Sequence, residues 1–201
     1  MRRSSLVVVL CLAIVIAAAG CAKKTVTRIS EDSTVDLSGR WNDTDSRLVA
    51  EEMIRDCLSR PWKTRHWDER KHKPIVIVGV IRNRSSEHIA TGTFIGDIER
   101  AFVNTGEVDV VASAEERDAV RDERSDQQSN ALEETVKRFG REKGADYMMG
   151  GEINTITDEE KGERVVFYQV DLNLIDLESN SKTWLGQKKI KKYVGKKKVS
   201  F

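Results

Sequence analysis

The sequence predicts an α/β fold: one domain, a sandwich built on a mixed sheet of about five strands with helices packed against it, closing with an antiparallel meander. Three observations carry this. Ile75-Val76-Ile77-Val78-Gly79-Val80-Ile81 is apolar on both faces and rich in β-branched side chains, as a central strand is. Segments with apolar residues at helical spacing lie before and after it. The last third of the chain alternates in twos, with Val166, Tyr168, Val170, Leu172 and Leu174 on one side.

The first helix is expected from about Ser46 to Leu58, where Ala50, Met53, Ile54, Cys57 and Leu58 share a face, and Arg60-Pro61 ends it. Trp62 to Lys73 reads as a connection into the strand that follows Pro74. Arg82 to His88 form a polar loop; Phe94, Ile98, Ala101 and Phe102 mark a helix that stops near Gly106. Val108 to Ala112 gives a second strand, parallel to the first through a right-handed crossover. Ser113 with Glu116 has the spacing of a capping box and starts a mostly solvated helix. Asn130 with Glu133 repeats that signal, and Leu132, Val136 and Phe139 predict a further helix closed by Gly144. Tyr147 to Ile156, Val166 to Leu174 and Thr183 to Ile190 complete the meander. Gly150-Gly151 falls inside a strand pattern, where a bulge is expected.

Before the domain, Arg2 and Arg3 precede an uncharged, mostly apolar run from Leu6 to Ala19, which is the pattern of an export signal and falls short of the roughly 20 apolar residues of a membrane span. Ala18, Ala19 and Gly20 then suit an extended backbone in a peptidase cleft, and the thiol of Cys21 can accept a diacylglyceryl group. The expected layout is a signal peptide over 1–20, lipidated Cys21 with a short polar tether over 21–40, a globular part over 41–190 and a basic tail over 191–201. The competing reading is an ordinary secretory peptide with Cys21 a bystander. Nineteen tether residues reach at most roughly 65 Å when extended, and nearer 25 Å as a coil.

Composition narrows function. The 34 Lys and Arg against 33 Asp and Glu give a formal net charge of +1, and loss of Arg2 and Arg3 leaves the remainder nearly neutral. No bulk field then favours nucleic acid as a partner. With Cys11 removed and Cys21 blocked, Cys57 is the single free thiol, so no disulfide can form within the chain; its neighbours Met53, Ile54 and Leu58 make it a buried structural residue. His66, His72 and His88 are not at the three or four spacing that puts two on one helix face, so they nominate no zinc site and no metal or other cofactor is expected. G-x-S-x-G, P-loop and C-x-x-C patterns are absent, and the carboxylates scatter over polar faces, so no catalytic residues are nominated. Gly39-Arg40-Trp41 matches the G-x-W that opens lipocalin barrels, but a helix follows where hairpins are needed; Trp41 is expected to pack the tether's end on the domain.

Two surface stretches remain. Arg82, Asn83, Arg84, Ser85, Ser86, Glu87 and His88, a polar loop on a rigid strand, are candidates for partner contact or simply a solvated connection. Lys188, Lys189, Lys191, Lys192, Lys196, Lys197 and Lys198 form a cationic run that either attracts anionic headgroups or cell-wall material, or is a lysine-protected edge strand and tail.

Val78-Gly79-Val80-Ile81-Arg82-Asn83-Arg84-Ser85-Ser86-Glu87-His88-Ile89, the stretch Phe94 to Ser113, Gly144-Ala145-Asp146-Tyr147, and Leu174-Ile175-Asp176-Leu177-Glu178 through Trp184 together resemble the LpoB family of lipoprotein activators of penicillin-binding proteins, whose fold is similar to the amino-terminal domain of TolB. The stretch around Cys21 likewise resembles the lipobox of bacterial lipoproteins, with Ala18 where Leu, Val or Ile usually stands. Ala22 in place of Asp favours the outer membrane by resemblance to Gram-negative sorting patterns, with the domain facing the periplasm. The resemblance implies a small α/β domain without an active site, docking on a class A penicillin-binding protein and stimulating glycan polymerisation and peptide cross-linking. The alternative is a structural envelope lipoprotein that holds peptidoglycan or another envelope complex through its basic segment. Well-known members carry a long proline-rich tether; here the only prolines are Pro61 and Pro74.

Overall fold

A computed structural model describes residues 25–30, 33–137, 140 and 142–195. The segment expected to be a signal peptide, Cys21, Phe139 and Lys196 to Lys198 lie outside the described residues. The chain from Thr34 onward is one compact unit.

Helix α1 (Asp43–Ser59) starts at a capping box in which Asn42 Oδ1 accepts from the Asp45 amide and Asp45 Oδ2 accepts from the Asn42 amide, both at 3.0 Å. Two amides that the first turn would leave unbonded are thereby satisfied. Its inward stripe is Val49, Ala50, Met53, Ile54, Cys57 and Leu58. The segment read as a connection is instead a second helix, α2 (Trp62–Arg70). Two residues one turn apart hold it: Trp62 and His66 are buried, and the Trp62 indole N–H donates to the Cys57 carbonyl at 2.8 Å. Two anchors are too few to register as amphipathic periodicity.

Strand β1 (Ile75–Asn83) follows, then α3 (Thr91–Thr105), which buries Phe94, Ile98 and Phe102 one turn apart and ends at Gly106 with φ +67°. Each such buried side chain contributes about 1.5–3 kcal/mol. Strand β2 is only Asp109–Val110. Strands β3 (Tyr147–Glu160), β4 (Glu163–Asp176) and β5 (Lys182–Val194) form the meander. The sheet order is β2-β1-β3-β4-β5, with β1 parallel to β2 and β3 and the remaining pairs antiparallel. The predicted class and sheet are thus present.

One expected helix is not. Ser113 does open α4 (Ala114–Asn130) through its capping box with Glu116, but residues 131–137 are turn, and Leu132 is 72% exposed. Leu132 meets no core and Val136 is only half-buried, so the described part of the expected stripe is not a buried helix face. α4 itself buries no residue. It is held by its cap and by Glu142, which receives Arg121 and Arg124. The expected irregularity is on the β1 side: the register slips between Val78 and Ile81, opposite Met149 to Gly151, so β1 carries the extra residue, while β3 pairs with β4 without interruption. Gly151 serves close approach, because a Cβ there would lie 2.2 Å from the Asp171 carbonyl oxygen.

The boundaries move outward at both ends. β5 runs on to Val194, so Lys191 and Lys192 belong to the sheet rather than to a tail. Asp36 to Arg40 are docked rather than tethering: Arg164 donates to the Ser38 carbonyl at 2.9 Å, Tyr168 Oη to the Gly39 carbonyl at 3.2 Å, and Lys192 Nζ to Asp36 Oδ1 at 2.6 Å. Trp41 packs edge-on against Phe94 and Tyr168, as expected of it.

Candidate docking surface

The loop after β1 is built rather than slack. Asn83 Oδ1 accepts from the amide and the hydroxyl of Ser85, and Asn83 Nδ2 donates to the Glu87 carbonyl at 2.7 Å, closing the turn on itself. The Arg84 amide donates to the Ile153 carbonyl, which fastens the base of the loop to β3. Glu87 points inward, with Oε2 accepting from the Trp41 amide at 3.2 Å and from Tyr168 Oη at 2.8 Å. Glu87 therefore anchors the loop to the domain. Arg82, Asn83, Arg84, Ser86 and His88 are the exposed members of the predicted site.

The sheet places a second feature beside this loop. Core residues of β3 and β4 alternate toward α1 and α3, among them Met149, Ile153, Tyr168 and Leu172. The opposite face carries the exposed side chains of Val80, Met148, Ile156, Leu185 and Tyr193. A shallow depression there is lined by Val80, Arg82, Met148, Asn173 and Leu185, and its rim reaches the loop through Arg82. The apolar run of β1 predicts burial on both faces, yet Val80 is 69% exposed. These apolar residues were missed as candidates because exposure on one face of a strand does not show in its composition.

Alternation along β5 divides the lysines. Lys188 and Lys192 face the helices: Lys188 pairs with Glu52, and Lys192 Nζ lies 2.5 Å from Asp45 Oδ2 as well as near Asp36. Burial would lower the Lys192 ammonium's pKa, but the two carboxylates outweigh it and hold it above the ordinary value. Lys189 and Lys191 pair across from Gln169 and Phe167 on the open face. Of the cationic run, only these two are described residues on the open side of the strand.

Cys57 is fully buried, and loss of solvent pushes its thiol up to about 12, so it is inert as a nucleophile. Among the described residues, His66, His72 and Asp146 bring potential metal-ligating atoms together; His88 stands apart in the loop.

The Salmonella enterica LpoB C-terminal domain is similar at 14% identity, covering 73% of this chain and 98% of that one, with a TM-score of 0.42. The Escherichia coli LpoB C-terminal domain is similar at 14% identity over the same shares, with a TM-score of 0.41. Lipoprotein GNA1162 from Neisseria meningitidis is similar at 17% identity, covering 60% of this chain and 83% of that one, with a TM-score of 0.35. Among curated proteins none matches. The match that identifies the chain is to a family model, "Peptidoglycan-synthase activator LpoB", over residues 45–190, which span α1 through most of β5. The chain belongs to the LpoB family of peptidoglycan-synthase activators.

Proposed function

We propose that this chain is a non-enzymatic lipoprotein, anchored through Cys21 in the outer membrane, that binds a class A penicillin-binding protein in the periplasm and stimulates peptidoglycan synthesis. The family match over residues 45–190 is the observation that carries this reading. An activator of this kind works by binding one state of the synthase better than another, so what it needs is a rigid presenting surface and not reacting groups. The self-closed loop bearing Arg82, Arg84 and His88, next to the open sheet face, supports that requirement. From Cys21 to the docked Asp36 an extended chain reaches at most about 50 Å, so the synthase must come within that distance, plus the width of the domain, of the anchoring leaflet.

The test is reconstitution with the cognate class A synthase. The full lipoprotein in detergent is expected to bind it and to raise its glycan polymerisation rate severalfold. Replacing both Arg82 and Arg84 with Glu should remove that stimulation while circular dichroism stays native. Unchanged synthase activity at saturating lipoprotein would refute the reading. The alternative, attachment to the wall through the basic segment, has less to draw on, since Lys188 and Lys192 are spent on internal ion pairs.

A further inference from the structure

We propose that His66, His72 and Asp146 form a three-ligand site for a divalent transition metal, Zn²⁺ above others, at the end of the sheet where α2 meets β1 and β3. Sequence spacing argues against it, because His66 and His72 cannot share a helix face. The fold removes that objection. α2 ends at Lys71, whose φ of +58° reverses the chain and lays the His72 ring edge-on to His66, with centroids 4.8 Å apart. Asp146 arrives from the segment before β3, and one donor atom from each of the three residues lies within 4.8 Å of the other two; His72 Nδ1, 3.8 Å from Asp146 Oδ2, also donates to the Lys73 carbonyl at 3.0 Å, a contact the metal would replace.

The decisive feature is an orphan. The His66 side chain is 0% exposed, and among the described residues its Nε2 has no hydrogen-bond partner. Buried polar atoms are paired in the great majority of cases, so an unpaired one asks for a ligand. Its other nitrogen, Nδ1, lies 3.1 Å from Tyr147 Oη. With the Nδ1–H donated to the tyrosine oxygen, Nε2 carries the lone pair and faces Asp146 Oδ2 at 3.8 Å. A histidine whose second nitrogen is held by a hydrogen bond is the usual arrangement behind a metal. Tetrahedral Zn²⁺ with bonds of about 2.0–2.1 Å holds its ligand atoms about 3.3 Å apart, so the two 3.8 Å edges to Asp146 Oδ2 must shorten by about 0.5 Å and the longest separation by up to about 1.5 Å, which a turn of the exposed His72 ring can supply.

Asp146 is positioned for the same role. Its Oδ2 accepts from the Ile75 amide at 2.9 Å and keeps a second lone pair, while Oδ1 faces Arg70 at 3.4 Å. Arg70, which opposes a cation here, is itself committed to Asp176 at 2.7 Å and Glu178 at 3.0 Å, and Lys73, next to His72, is paired with Asp109. His72 is 47% exposed, which supplies an entry path and a place for a water in the fourth position. Coordination would staple α2 to the starts of β1 and β3.

The experiment uses the full lipoprotein in detergent, without a polyhistidine tag, exchanged through chelator and then titrated with Zn²⁺. Expected are about one Zn²⁺ per chain by elemental analysis after gel filtration, a Co²⁺ spectrum of four-coordinate intensity, and a rise in Tm with added Zn²⁺. His72→Gln, at an exposed position that leaves the fold intact, should weaken Zn²⁺ binding at least tenfold. His88→Gln should bind like the parent. Substoichiometric zinc in the parent chain, or equal affinity of the His72→Gln and His88→Gln variants, would overturn the site.

Discussion

Glu87 Oε2 accepts a hydrogen bond from Tyr168 Oη at 2.8 Å, so the surface loop after β1 is bolted to the middle of β4 through the core. Burial, and next the Glu87 carboxylate beside it, push the Tyr168 hydroxyl well above its ordinary range, so it remains a donor at any working pH. Tyr168 is fully buried and also serves the Gly39 carbonyl.

Tyr168→Phe keeps the ring and removes both bonds. It should cost about 1–3 kcal/mol, seen as a lower urea midpoint, because the single hydroxyl proton, directed to the Glu87 carboxylate at 2.8 Å with the Gly39 carbonyl at 3.2 Å as the weaker acceptor, is lost. The same variant should speed amide exchange at Ser85 to Glu87. If exchange there is unaltered, the loop's rigidity has another source.

Asp176 makes stability depend on acid. Burial works against its charge, but the amides of Ser179 and Glu178 donating to Oδ1 and the Arg70 guanidinium on Oδ2 outweigh it, so its pKa lies below the usual carboxylate value. The native state then binds fewer protons than the unfolded one. Its contribution is complete above the unfolded pKa of about 3.9 and is lost as pH falls through the lower folded value. Urea denaturation should show the parent losing stability below about pH 4, with Asp176→Asn already weaker at neutral pH by roughly 1–3 kcal/mol and flatter below it. Equal acid slopes would remove Asp176 from the account.

The chain announced those elements whose apolar residues meet a core. α1, α3 and β4 each bury a periodic stripe, and the sequence predicts all three. α2 rests on two anchors, and Leu132 advertised a helix that has no partner surface. Whether a stripe is buried is decided by the rest of the fold, which local spacing does not contain. The site divides in the same way. The Arg82 to His88 loop is legible as polar punctuation, whereas the inward turn of Glu87 depends on Trp41 and Tyr168, both remote in the chain. The meeting of His66 with Asp146 is equally nonlocal.

Gly151 gives a stringent test of the β3–β4 pairing. A methyl group there would meet the Asp171 carbonyl oxygen at 2.2 Å and Leu172 Cδ2 at 2.7 Å, and the first of these is backbone that cannot swing aside. Gly151→Ala should therefore destabilise by about 1–3 kcal/mol or more. Gly92→Ala, with nothing within 4 Å of the new carbon, should leave Tm near the parent's. Comparable melting of both variants would mean that the strands are not in this register.

The lysines of β5 should separate into two phenotypes. Removing Lys192 leaves Asp36 and Asp45 together without a counter-charge, and Asp45 is the partner of Asn42 in the capping box of α1, so Lys192→Ala should cost about 1–3 kcal/mol. Lys188→Ala loses only a half-exposed pair with Glu52 and should cost under about 1 kcal/mol. Lys189→Ala with Lys191→Ala touches no such partner and should change stability by less than about 0.5 kcal/mol, while reducing cosedimentation with anionic vesicles at low salt. Loss of vesicle binding in Lys192→Ala at native fold, with the Lys189/Lys191 variant unaffected, would mean that the helix-facing pair and not the open face meets anionic surfaces.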